Sequence, residues 1–267
     1  MPRTVSRCLV LPLVLVACGT LSVREEEELG AEAARELRRE LRFVGDPYVV
    51  EYVESIGAAI VAASGPQPYE FRFHVVEDDS LNAFALLAGG IYLHTGTILA
   101  AADVGELAGV IGHEVGHVVR RHVARNYARQ RNTGILYQLA SLAAAIFVGG
   151  SAAAGGQMVG ELAAVAFVNT FTREAEEEAD AFAVEVLPIA GYHPSGLVSF
   201  FETLERQGGA HVPEFLASHP ATENRIAHTA ALIEAAELPE GLIVRDGGEL
   251  QIIQRRIELL TRRDRRE

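Results

Sequence analysis

VIGHEVGHVVRRH, residues Val110–His122, sets two histidines four apart with a glutamate directly after the first. Apolar residues at helical spacing surround it, and Asp103 is a good N-cap, so the stretch predicts one long helix from Asp103 to about Asn132. Residues four apart lie one turn above each other on one helix face, so His113 and His117 present both imidazoles to a single point. Glu114 lies about 100° around the axis from His113, near enough to reach a water held at that point but turned too far to displace it. Two nitrogen ligands beside one carboxylate base is the arrangement hydrolytic zinc chemistry uses. On a continuous helix His122 is rotated about 140° from His117, which predicts a surface position.

A catalytic zinc takes three protein ligands and keeps a fourth position for water. The two cysteines, Cys8 and Cys18, both lie in the N-terminal segment, so the third ligand is sought among His, Asp and Glu. TREAEEEADAFA (Thr172–Ala183) offers Glu176 and Asp180 four apart on a second helix, with alanines that permit close packing. Glu176 is the candidate third ligand. Asp180, one turn on, is the candidate acceptor for the second ring nitrogen of a ligand histidine. Glu174, Glu177 and Glu178 read as a solvated acidic face, and one zinc per chain is expected.

The 267 residues are 49% hydrophobic and 22% charged, a globular composition. A net charge of -13 opposes binding to a phosphate backbone. The arginine-rich end, QRRIELLTRRDRRE, interleaves acidic residues and reads as a solvated helix, so no nucleic-acid partner is expected. Arg3 and Arg7 precede an apolar run, Cys8–Ala17, that is too short to span a bilayer and has the form of a secretory signal. The LVAC stretch resembles a bacterial lipobox. Removal of residues 1–17 would leave Cys18 as a lipid-carrying N-terminus that anchors the chain to a membrane. With both cysteines so assigned, disulfide scaffolds and cysteine catalysis are excluded.

Between these landmarks the chain divides into a tether with a helix (18–45), a main domain (46–236) and a short C-terminal extension (237–267). Arg24–Leu41 is an amphipathic helix, and Asp46-Pro47 starts another that runs to about Ala63, where SGPQP ends it. YEFRFHVVED alternates as a strand. Gly89 and Gly90 mark a turn before a second strand, Ile91–His94, in a small mixed or antiparallel sheet. Residues 133–168 are rich in alanine and glycine and favour two short helices, near a membrane but not across it. Helices follow over about Arg173–Leu187, Ser195–Glu205 and Thr222–Ala236. The fold class is α+β, mostly helical.

HEVGH together with TREAEEEAD resembles the H-E-x-x-H and S-R-x-x-E-x-E-A-D motifs of the HtpX-like zinc metallopeptidases, the forty-eighth metallopeptidase family, and its periplasmic lipoprotein branch of the LoiP and BepA type. NAFALLAGGIYLHTGTI, AGYHPSG and HPATENRI extend the likeness over roughly Asp46–Ala236, and Thr172 stands where the family has serine. The resemblance implies a zincin-like (gluzincin) domain with a small sheet beside the active-site helix. His113, His117 and Glu176 would hold zinc, Glu114 would activate the zinc-bound water, and Asp180 would stand behind a ligand. The strand Ile91–His94 would be an edge strand that pairs with an extended substrate. His219 has two open readings: a gate or fourth ligand over the zinc, supported by Arg225, or the cap of the following helix. The implied activity is endopeptidase action on misfolded or misassembled envelope proteins, facing the periplasm from the outer membrane. The alternative is a chaperone-like assembly factor for outer-membrane proteins with a latched, mostly silent zinc site.

Overall fold

The computed structural model describes residues 20–129, 171–208, 215, 219 and 223–264. The expected signal segment 1–17, the lipidation site Cys18 and the segment 133–168 lie outside these. Helix α1 (Val23–Glu40) opens with a reciprocal cap: the Ser22 hydroxyl accepts from the Glu25 amide, and the Glu25 carboxylate accepts from the Ser22 amide at 2.8 Å. Helix α2 (Pro47–Ala63) starts where Asp46 accepts from the Tyr48 and Val49 amides, with proline in the first turn, where no amide is needed.

Three strands follow, β1 (Arg72–Val76), β2 (Ala83–Ala85) and β3 (Gly90–His94). Their order is β1-β3-β2, with β1 parallel and β2 antiparallel to β3, so the sheet is mixed. The expectation that Ile91–His94 forms an edge is therefore corrected, because β3 is paired on both sides. The cause is a tight turn at Leu87–Gly89, with Ala88 at φ 59° and Gly89 at φ 90°, which folds the short β2 back onto β3. Beyond β3, helix α3 (Thr95–Ala100) leads to α4 (Val104–Val119).

Asp103 caps α4 by accepting from the Glu106 amide at 3.0 Å, and every residue from Val104 to Val118 is buried. The helix does not run on to Asn132 as expected. Arg121 adopts φ 55°, the helix ends at Val119, and the chain resumes helix over 122–129. The Arg121 guanidinium donates to the Glu26 carboxylate and the Leu21 carbonyl, and Glu26 accepts the Tyr69 hydroxyl at 2.6 Å. An ion pair from α1 therefore holds the residue that breaks the helix.

Gly105, Gly109, Gly112 and Gly116 form a stripe along α4 that lets two later helices approach closely. These are α5 (Arg173–Ile189) and α6 (Ser195–Gly208). A Cβ on Gly116 would lie 3.1 Å from the Ala179 carbonyl of α5, and one on Gly109 would lie 2.6 Å from the Leu197 nitrogen of α6. Helices α7 (Glu223–Ala235) and α8 (Glu249–Asp264) complete the fold. Residues after 236 share the main core through Leu250, Ile253 and Ile257. Asp246 accepts the Tyr52 hydroxyl at 2.6 Å, and Arg256 pairs with Asp46 at 2.6 Å, which ties this end to α2. No helix among the described residues is long and apolar enough to cross a membrane.

Candidate metal centre

The two helices joined by the glycine stripe carry the site. From α4, His113 and His117 direct their Nε2 atoms to one point, 2.9 Å apart. From α5, Glu176 brings Oε2 to 3.5 Å from His113 Nε2 and Oε1 to 3.4 Å from His117 Nε2. His219 adds Nδ1, 3.3 Å from His113 Nε2 and 3.0 Å from Glu176 Oε1. All four side chains are buried, and their ligand atoms lie within 4.8 Å of one another. Zinc bonds of about 2.0–2.2 Å in a tetrahedron require ligand atoms roughly 3.3–3.6 Å apart. The donors therefore match a four-coordinate divalent ion in number and type, and the separations of 2.9–3.5 Å between them lie close to that spacing. Burying converging nitrogen lone pairs against a carboxylate is also costly unless a cation joins them.

Glu114, on the neighbouring face of α4, is fully buried, and neither of its oxygens has a hydrogen-bond partner. Burial pushes its pKa up to about 7, against the charge of His219 and a weak pull from the Ala85 amide of β2. His219 Nε2, also without a hydrogen-bond partner, stands 3.5 Å from Glu114 Oε1. His219 thus faces the ligand cluster through one ring nitrogen and the base through the other. Its own amide donates to the Phe215 carbonyl at 2.8 Å, and the Phe215 amide donates to the Leu81 carbonyl at 2.9 Å, which ties both residues to the chain just ahead of β2. Phe215 stacks on the His219 ring, centroid to centroid 4.6 Å.

Asp180 lies behind His113, whose Nδ1 donates to Oδ1 at 2.8 Å. Arg225 donates to both Asp180 oxygens, with Nη2 2.8 Å from Oδ1, and its Nη1 lies 2.6 Å from Glu176 Oε2. Thr229 adds a hydroxyl to Asp180 at 3.3 Å, and the Arg225 guanidinium lies 4.6 Å from the Phe201 ring centre. For Asp180 burial opposes ionisation, but the bonds from Arg225 and His113 outweigh it and hold the pKa below the usual carboxylate range. Glu176 is held well below that range despite burial, chiefly by the charges of His219 and Arg225. Both carboxylates are thus kept anionic beside the metal position.

His122 corrects the sequence reading. It is 2% exposed, and its Nδ1 is 2.9 Å from His117 Nδ1, while its Nε2 is 3.0 Å from Glu178 Oε2. The rotation of about 140° holds only on a continuous helix, and the left-handed Arg121 turns the chain back toward His117. Glu178, read as a solvated face, is half exposed but binds His122 and Arg125. Two aromatic residues had no spacing signal at all: Phe215, and Phe171, which stacks on His117 at 3.9 Å. Thr172 caps α5 with its hydroxyl at 3.3 Å from the Ala175 amide, a function its departure from serine preserves.

A helix bearing H-E-x-x-H, a glutamate on a second helix and a free buried base between them define a metallopeptidase-type centre in a mostly helical α+β fold. The sequence profile of Peptidase family M48 matches residues 47–233, and the chain belongs to that family. It is 31% identical over 215 residues to the beta-barrel assembly-enhancing protease of Escherichia coli strain K12, covering 79% of this chain and 44% of the relative. It is 29% identical over 206 residues to the mitochondrial metalloendopeptidase OMA1 of Arabidopsis thaliana, covering 77% and 40%. Metalloprotease LoiP of Escherichia coli strain K12 is 29% identical over 162 residues, covering 61% and 62%. The chain thus spans less than half the length of the assembly-enhancing protease it matches.

Proposed function

We propose that this chain is a zinc-dependent endopeptidase of the bacterial envelope that hydrolyses peptide bonds in misfolded or misassembled proteins. The observation that carries the reading is Glu114, a buried carboxylate without a hydrogen-bond partner beside a converged His-His-Glu group. His113, His117 and Glu176 would hold the ion. Zinc, when bound, supplies a Lewis acid that polarises a carbonyl and eases ionisation of water at neutral pH. Glu114 takes a proton from the attacking water and returns it to the departing amine, so water adds across the C–N bond. Asp180 and Arg225 fix the orientation of His113 and Glu176 through the cycle.

Substrate is read through β2. Leu86 and His94 donate to the Gly90 and Asn82 carbonyls, so even-numbered residues of β2 face β3. Ala83 and Ala85 consequently turn their amides and carbonyls toward the outer edge, on the side of Glu114. An extended peptide would pair there through backbone bonds, a mode that suits unfolded segments of varied sequence. A lipid on Cys18 would keep the enzyme at the envelope membrane, with the periplasm as its working side.

His219 favours a second reading of the resting state, because its Nδ1 completes the ligand group. It acts as a gate that must leave before substrate enters. In the extreme, the site is latched and the chain serves as an assembly factor. The decisive experiment is casein cleavage by the zinc-loaded chain, its Glu114→Gln variant and its His219→Ala variant. Cleavage lost in Glu114→Gln and raised in His219→Ala supports a gated peptidase. Cleavage by His219→Ala alone marks a latched site, whereas silence in all three, with zinc bound, refutes the peptidase reading.

A further inference from the structure

We infer that His122, with Glu178, is a positioning residue for the metal ligand His117, bonding the ring nitrogen that faces away from the metal position. The inference rests on the proposed metal site. His117 turns Nε2 toward His113 and Glu176, so its Nδ1 lies on the far side. A neutral imidazole that offers a lone pair at Nε2 carries its proton at Nδ1 and must donate it. The only hydrogen-bond partner the structure gives that atom among the described residues is His122 Nδ1, at 2.9 Å.

The donation fixes every other proton in the chain of bonds. His122 accepts at Nδ1, so it carries its own proton at Nε2, which donates to Glu178 Oε2 at 3.0 Å. Arg125 holds the same carboxylate oxygen from Nη2 at 2.9 Å. The two α4 ligands are thus backed in parallel ways. His113 donates directly to Asp180, which Arg225 holds, whereas His117 donates to a carboxylate through one intervening imidazole. Such partners set the tautomer and direction of a ligand ring and raise its basicity, and their loss commonly costs 10–100-fold in metal affinity. Phe171, stacked on the face of His117 at 3.9 Å, limits tilt but offers no acceptor. Rotation about the ring axis is left to His122.

The test uses the full chain purified in detergent, as wild type, His122→Ala, His122→Asn and Glu178→Ala. Zinc affinity is measured by competition with a chromophoric chelator, and ligand geometry by the visible absorption of the cobalt(II)-loaded protein. Thermal unfolding of the metal-free forms gives the structural baseline. His122→Ala is expected to bind zinc about 10–100-fold more weakly with an altered cobalt spectrum. His122→Asn, which can still accept from His117, should recover most of both. Glu178→Ala removes a half-exposed side chain, so it leaves the fold intact and should weaken zinc binding to a smaller, measurable extent. The inference is overturned if His122→Ala and Glu178→Ala bind zinc within about twofold of wild type with the wild-type cobalt spectrum. It is equally overturned if His122→Asn is no better than His122→Ala while both metal-free variants unfold like wild type. Loss of zinc binding altogether in the wild type would instead sink the metal-site reading beneath it.

Discussion

Gly109→Ala is expected to destabilise the chain, and Gly112→Ala, three residues along the same helix, is not. At Gly109 an added Cβ would lie 2.6 Å from Leu197 N, 2.7 Å from Leu197 Cα and 3.0 Å from Gly196 C, all backbone atoms of the α6 entry. Comfortable carbon contacts are about 3.5–4.0 Å, so α6 must withdraw by roughly 0.8–1 Å. That retreat loosens Leu197, Phe200, Phe201 and Leu204, all fully buried in the main core. Overpacking typically costs about 1–3 kcal/mol, and a backbone clash that no rotamer can relieve belongs at the upper end. The gain of alanine over glycine in a helix, about 1 kcal/mol, offsets part of it. A net loss of ~2 kcal/mol corresponds to a fall in Tm of roughly 4–8 °C for a chain of this size. At Gly112 the new Cβ meets Leu187 Cδ2 at 3.3 Å and Leu187 Cγ at 3.4 Å, in a side chain that can shift, and Ala183 Cβ at 3.5 Å, an ordinary contact. There the helix gain should dominate, leaving stability unchanged or raised by up to ~1 kcal/mol. Thermal unfolding of the metal-free proteins by circular dichroism, in excess chelator to remove zinc linkage, measures both. A Gly109→Ala protein that melts at or above Gly112→Ala would refute the close-packing account of α4 against α6.

Asp180→Ala should weaken zinc binding about 10–100-fold by leaving His113 Nδ1 without its acceptor. It should also cost ~3 kcal/mol, since the buried Arg225 loses its paired bonds to the Asp180 carboxylate; an unchanged chelator-competition curve would contradict the assignment. Glu106 is buried at the start of α4, and burial raises its pKa despite the Ala102 amide and Thr203 hydroxyl. The folded state therefore holds a proton that the unfolded state has lost, and stability falls as pH climbs from about 4.5 through the raised folded value. The Tm of Glu106→Gln relative to wild type should accordingly grow between pH 4 and pH 7, and a flat difference would count against it. Glu26→Ala removes the carboxylate that Arg121 and Tyr69 share. Limited trypsin digestion should then cut between α1 and α2 faster than in wild type, whereas equal rates would show that α1 is held by its apolar contacts alone.

What the sequence made legible was short-range. Asp46 and Asp103 announce their helices because an N-cap acts on amides two or three residues away, and both carboxylates make those bonds. His113 with His117, and Glu176 with Asp180, are readable because four residues return a helix to the same face. The strand β2 was not readable, since three residues contain too little alternation to stand apart from the apolar stretch around them. The resemblance implied that Ile91–His94 is an edge, and with β2 unread no strand stood against it. Arg225 and His219 reach the site from a separate segment, and only the family resemblance pointed to them.

His122 shows the limit most clearly. Angular arithmetic along a helix is valid only while the helix continues, and Arg121 at φ 55° ends it. A left-handed conformation costs a non-glycine residue about 1–2 kcal/mol, so something must hold it. Here Glu26 and the Leu21 carbonyl take the Arg121 guanidinium, while Tyr69 braces Glu26 from the far side. Leu21, Glu26 and Tyr69 all lie far from H-E-x-x-H in sequence, and no spacing ties them to it. Yet they set the turn that swings His122 behind His117. An acidic residue in the first turn of α1 thus helps set which side chain stands behind His117, the proposed metal ligand about ninety positions later, a dependence that no local window can contain.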